Sequence, residues 1–147
     1  MRTLLILFTL SILACSPGPQ SIRYGEDACY FCKMTIVDQQ HSAEAVTAKG
    51  KVYKFDAIEC LVQYIIPLDE ATFTHLLVAD FDQPGSLIDA RTASYLVSPN
   101  LPSPMGAFLN AFDNPNRSAS VLHEQSGTLY SWDSLKENMA SNSLMPR

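Results

Sequence analysis

Apolar and polar positions alternate most clearly between residues 43 and 55. Ala43 to Thr47 predicts one strand, Ala48-Lys49-Gly50 a turn, and Lys51 to Phe55 the return strand, in which Lys51 and Lys54 interrupt Val52, Tyr53 and Phe55. Asp56 then reads as a helix N-cap with Glu59 in capping-box position, opening a helix over Ala57 to Ile66 that Pro67 stops. Upstream, the β-branched run Thr35-Ile36-Val37 predicts a short strand, followed by a polar loop from Asp38 to His41. Downstream, Thr72 to Val78 predicts another strand. Ser86 to Arg91 and Ala93 to Ser98 are expected to pair with each other. Pro99, Pro102 and Pro104 exclude regular structure from the stretch that follows. Ser103-Pro104 then predicts a helix start, with Met105 in the first turn, Ala107 to Phe112 as the body and Asn114-Pro115 as the stop.

The second half repeats the grammar of the first. Gly50-Lys-Val-Tyr-Lys-Phe-Asp56-Ala-Ile-Glu59 can be laid on Gly127-Thr-Leu-Tyr-Ser-Trp-Asp133-Ser-Leu-Lys136, with glycine, tyrosine, an aromatic residue and a capping Asp in register. Ser42 to Val46 and Ser118 to Val121 match loosely as the preceding strands. This predicts an internal duplication and an α+β class, built from two small related ββαβ-type units with antiparallel hairpins. The units span residues 24–83 and 84–138. A tail at residues 139–147 follows, in which Met139 and Met145 are expected to be frayed.

The N-terminus has a different pattern. Leu4 to Leu13 is almost wholly apolar, long enough for a signal-peptide core and too short to span a bilayer. It ends Leu13-Ala14-Cys15, which resembles a bacterial lipobox, with residues 1–14 the signal peptide and Cys15 the diacylated first mature residue. Ordinary secretion with cleavage near Ala14 is the plainer alternative. Residues 15–23, rich in Pro, Gly and Ser, read as a solvated tether. These features predict a lipid-anchored protein on the extracytoplasmic, periplasmic face of a bacterial envelope. Removing the leader from 147 residues leaves 133, enough for one domain or two small ones. The formal charge of −5 contains no basic run, so nucleic acid is not an expected partner.

Four cysteines occur, and lipidation of Cys15 leaves an odd three: Cys29, Cys32 and Cys60. Outside the cytoplasm an odd count implies a free thiol or a metal ligand. Cys29-Tyr30-Phe31-Cys32-Lys33-Met34 groups two thiols and a thioether, a soft donor set suited to Cu(I). If the segment is extended, Cys32 and Met34 share a face. Met105 is the first choice for a third donor, and Cys29 is its local competitor. The plainer readings are a Cys29–Cys32 disulfide, a buried structural Cys60, and scattered surface histidines at His41, His75 and His123. Cys-x-x-Cys alone is only half a zinc motif.

Asp27-Ala28-Cys29-x-x-Cys32-x-Met34-x-Ile36-x-Asp38, Tyr53-x-Phe55-Asp56, Ile88-Asp89-Ala90, Tyr95 and Pro104-Met105-Gly106 together resemble the NosL family of lipid-anchored copper-binding accessory proteins of nitrous-oxide reduction. The resemblance runs from about Tyr24 to Leu135. It implies a Cu(I) chaperone that serves nitrous-oxide reductase together with an ABC-type accessory complex, and it implies no catalysis. Some members keep one cysteine, matching Cys32, before the methionine. The resemblance therefore favours Cys32, Met34 and Met105 as ligands and leaves Cys29 open between ligand and disulfide partner. Two rival readings are a tethered thiol–disulfide oxidoreductase using Cys29 and Cys32, and an adaptor in which the sulfur pair is only a staple. Another copper enzyme could be the client in place of nitrous-oxide reductase.

Metabolic labelling with an alkyne fatty acid is expected to tag the protein, and Cys15→Ala to abolish the tag. Label retained in that variant would refute the lipobox.

Overall fold

A computed structural model describes residues 18–141; Cys15, the leader and Met145 lie outside the described residues. The alternating segment folds as an antiparallel hairpin, β1 (Ala43–Thr47) and β2 (Val52–Phe55). The Gly50 amide closes its turn on the Thr47 carbonyl at 2.9 Å. Gly50 has φ 81°, a left-handed conformation that glycine enters without a Cβ clash. Helix α1 (Ile58–Ile65) follows and is buried on nearly every side, which accounts for its almost wholly apolar sequence. A 3-10 turn, Glu70–Thr72, leads into β3 (Phe73–Asp80), which pairs with the free edge of β1. Strand β4 (Gln83–Asp89) pairs with β3 and completes the order β2-β1-β3-β4.

The second sheet has the order β6-β5-β7, with β5 (Ser94–Val97) between β6 (Leu109–Phe112) and β7 (Thr128–Tyr130). Helix α2 (Pro115–Gln125) joins β6 to β7, and α3 (Trp132–Ala140) closes the described chain. Both sheets are antiparallel throughout. The α+β class is therefore the one the chain adopts, and the order ββαβ occurs twice, as β1-β2-α1-β3 and β5-β6-α2-β7. In each unit the first strand is flanked by the other two. Strand β4 lies across the junction at residues 83 and 84 and hydrogen-bonds to the first sheet. Among the described residues no helix is long and apolar enough to cross a membrane.

Several local expectations are corrected. The repeat exists in a different phase, because Ser118–Val121 lies inside α2 rather than in a strand, so β5 and not that segment is the counterpart of β1. Asn114-Pro115 starts a helix instead of stopping one. The Asn114 side chain accepts the Asn116 amide at 2.9 Å, and Pro115 supplies the preset φ of a first helical residue. Ala107 to Phe112 holds a strand, not a helix, since all four residues of β6 are buried and pair with β5. Ser86–Arg91 and Ala93–Ser98 do not pair with each other, as β4 joins β3 and β5 joins β6 and β7. Thr35–Val37 contributes one bridge, Ala28 to Thr35, in place of a strand. Neither predicted cap forms: Ala57 is the N-cap of α1, and Ser131 caps α3 in a reciprocal pair with Ser134. Met139 is buried on the same face of α3 as Trp132 and Leu135, not frayed.

One core serves both sheets. Phe55, Leu61 and Leu76 from the first unit and Tyr95, Leu109 and Leu135 from the second lie in a single buried cluster. Tyr95 sits at the join: its ring packs 6.0 Å from that of Trp132, and its hydroxyl donates to the Ala90 carbonyl at 2.6 Å. Tyr95→Phe leaves that buried carbonyl without its partner and should cost about 1–3 kcal/mol in a urea unfolding measurement. An unchanged midpoint would show that the hydroxyl contributes nothing.

Candidate metal centre

The cysteine segment is shaped as a narrow ribbon with a tight turn at its tip. The Ile36 amide bonds the Asp27 carbonyl at 2.9 Å, the Gly25 amide bonds the Ile36 carbonyl at 2.8 Å, and the Cys29 amide bonds the Met34 carbonyl at 2.7 Å. The Lys33 amide then closes the turn on the Cys29 carbonyl at 3.0 Å. Lys33 has φ 67°, the left-handed region, so the chain reverses between Cys32 and Met34. This corrects the extended geometry expected for that pair, and Cys32 and Met34 do not share a strand face. A further bond, from the Tyr30 amide to the Lys54 carbonyl at 2.8 Å, ties the ribbon to the edge of β2.

Helix α1 starts three residues after β2 ends, and its third residue is Cys60. The Sγ atoms of Cys29, Cys32 and Cys60 all lie within 4.8 Å of one another. All three are free thiols, so no Cys29–Cys32 disulfide is present. Cys29 and Cys60 are buried, while Cys32 is partly exposed. The expectation of a buried Cys60 accounts for its burial but not for the direction of its thiol. The odd cysteine count was the available signal; the missing information was how α1 docks beneath the ribbon.

The three thiols are electrostatically unequal. The Cys60 thiol donates to Cys29, and the Asp56 and Cys32 amides also donate to it, the latter at 3.4 Å. These donors outweigh the effect of burial and hold the Cys29 thiol well below the ordinary thiol range, as a thiolate. Cys60 is pushed strongly upward, first by that same bond to Cys29 and then by burial. Cys32 is raised by burial and by its proximity to Cys29. The donors therefore favour negative charge on Cys29 over the other two sulfurs. Three thiol sulfurs together make a soft donor set.

The two nominated thioethers differ in exposure. Met34 is 55% exposed, just beyond the turn. Met105 sits in a turn of the second unit and not in a helix; like Cys32, it is partly buried against the shared core. Asp56 is buried at the end of β2, where its carboxyl accepts the Val37 amide. Burial raises its pKa, and its Oδ1 has no partner. His41 is not on the surface. It is 3% exposed, with Nδ1 2.9 Å from Asp38 Oδ2 and Nε2 3.0 Å from Asn110 Oδ1. That chain of contacts links the end of the cysteine ribbon to β6. His123 lies on α2 and His75 on β3, and neither belongs to the thiol cluster. Tyr30 packs edge-on against Tyr53 and Tyr64, with ring centroids 4.6 and 5.4 Å away, and Lys33 Nζ lies 4.5 Å from the Tyr30 centroid.

The NosL family model matches residues 21–140, which takes in the ribbon, α1 and the Met105 turn. The chain belongs to the NosL family. A solved structure, the copper chaperone NosL from Shewanella denitrificans, superimposes with a TM-score of 0.69 at 22% identity, covering 80% of this chain and 94% of that one. The two share the fold at that level of identity. No curated protein matches the chain. Within this NosL-family fold, the thiol cluster is the only group of three or more potential metal-ligating His, Cys, Asp or Glu side chains among the described residues.

The sign of the Cys29 shift makes a pH prediction. Its folded pKa is depressed, so the stabilisation is complete above the unfolded thiol pKa and is lost as pH falls through the folded value. The metal-free reduced protein should therefore show ultraviolet thiolate absorbance at about pH 6, where an ordinary thiol is protonated. Cys29→Ser should remove it. Absorbance that develops only at alkaline pH would contradict the assignment of Cys29 as the charged sulfur.

Proposed function

We propose that this NosL-family chain is a membrane-tethered carrier of Cu(I), lipid-anchored through Cys15 on the extracytoplasmic side. The observation that carries the reading is the three-thiol cluster, with two sulfurs buried and one at the surface. Soft, few and partly accessible donors hold a monovalent copper ion and still allow it to leave by ligand exchange. Cys29 and Cys32 serve as primary ligands and Cys60 as the third thiol, with Met34 and Met105 as thioether donors at the mouth. As with the Shewanella denitrificans protein, named a copper chaperone, the function is carriage without catalysis. The client is nitrous-oxide reductase or another copper enzyme, and delivery works with an ABC-type accessory complex.

The oxidoreductase reading runs against the electrostatics. A thiol–disulfide enzyme needs its low-pKa thiol at the surface to attack a substrate disulfide. Here the charged sulfur, Cys29, is 1% exposed, and the accessible Cys32 is the one whose pKa is raised.

Under reducing conditions the protein should bind one Cu(I) per chain in competition with a chromophoric chelator. Cys29→Ser and Cys32→Ser should abolish high-affinity binding, while Cys60→Ser and Met34→Leu weaken it, by roughly ten- to hundredfold for Cys60→Ser. Affinity should fall with acid, because loading displaces protons from Cys32 and Cys60. Titrations unchanged in both Cys29→Ser and Cys32→Ser would place the copper elsewhere. For the client, deletion of the gene should leave nitrous-oxide reductase short of copper, and a fully loaded enzyme in the deletion strain would exclude that client.

A further inference from the structure

Glu59 is an acidic side chain with no solvent exposure, one residue before Cys60 on α1. A carboxyl group in such a place is costly unless other groups bond to it. Its Oε1 accepts the Ser103 hydroxyl, the Ala107 amide also bonds the carboxyl, and Oε2 is buried without a partner. The Ser103 hydroxyl oxygen in turn accepts the Leu109 amide at 3.2 Å, and the Gly106 amide closes a turn on the Ser103 carbonyl at 3.0 Å. Ser103 and Ala107 stand two residues to either side of Met105. One carboxyl group therefore clamps both ends of the Met105 turn to the helical turn that carries Cys60.

The turn needs such a clamp. Phe108, the next residue, has φ 58°, a conformation that a bulky side chain keeps only when its surroundings impose it. A hydrophobic residue in place of Glu59 would fill the same space with less desolvation cost, so space filling alone does not account for an acid there. What the carboxyl adds is a fixed direction and distance between α1 and the Met105 turn.

We propose that Glu59 is a positioning residue of the metal centre: through Ser103 and Ala107 it fixes where the Met105 thioether stands relative to the three thiols. This rests on the reading of Met105 as a copper ligand. It makes Glu59 a counterpart, for a thioether donor, of the groups that orient ligating side chains from behind. The alternative role for Glu59 is a buried charge that acts on copper directly, which would not require Met105 at all.

The two roles separate in a coupling experiment on the full chain. Cu(I) affinity is measured by chelator competition in Glu59→Leu, Ser103→Ala and Glu59→Gln, each alone and combined with Met105→Leu. Glu59→Leu and Ser103→Ala should weaken binding by the same factor as Met105→Leu, roughly ten- to hundredfold. Glu59→Gln can still accept the Ser103 hydroxyl and should recover most of the loss. The combined variants should bind no more weakly than Met105→Leu alone, because all remove one contribution. Losses that multiply in the combined variants would overturn the proposal, as would full affinity in Ser103→Ala, which also serves if Glu59→Leu fails to fold. Unchanged affinity in Met105→Leu would remove the ligand assignment and this inference with it, while leaving the cysteine site intact.

Discussion

The site is organised around one buried sulfur, that of Cys29. Three donors from separate parts of the chain converge on it and lower its pKa: the Cys60 thiol from α1, the Asp56 amide from the end of β2, and the Cys32 amide from the turn. Each donor also fixes its own element. The ribbon, the end of the hairpin and the start of the helix are therefore arranged around a single sulfur atom. Fixing donor atoms before binding is how preorganisation contributes to affinity.

Firmness and release are handled by different sulfurs. Cys29 and Cys60 are buried, and Cys32 is partly exposed. The turn that carries Cys32 also exposes apolar side chains: Tyr30, Phe31 and Met34 are all more than two-fifths exposed. An incoming donor therefore reaches Cys32 before either buried sulfur. The second unit contributes through the Met105 turn, held against α1 by Glu59 and Ser103, and through the His41–Asn110 contact beneath the ribbon. Helix α1 thus carries Cys60 of the thiol cluster and, through Glu59, holds the Met105 turn of the second ββαβ unit.

Some of this was legible in the sequence because local chemistry decided it. The β1–β2 hairpin follows from alternation and a turn glycine, and α1 from an apolar run stopped by Pro67. The soft-donor reading of residues 29–34 followed from residue type alone. Other parts depended on contacts far along the chain. Asp56 and Glu59 have capping-box spacing, yet both are buried, one beneath the ribbon and one against Ser103. Ser103-Pro104 is a sound helix start locally, but burial of all four residues of β6 against β5 overrode it. The repeat was visible and misphased, because β7-α3 has the same strand-then-helix order as β2-α1 while occupying a different place in the fold. Cys60 could not be grouped with Cys29 and Cys32 from sequence, since their meeting depends on how a helix docks.

Copper K-edge X-ray absorption on the reduced protein loaded with one equivalent of Cu(I) tests the central claim most directly. A first shell made only of sulfur, losing a scatterer when Cys60 is replaced by serine, is the predicted result. A shell dominated by nitrogen or oxygen, or one that is the same with and without the Cys60 thiol, would contradict it.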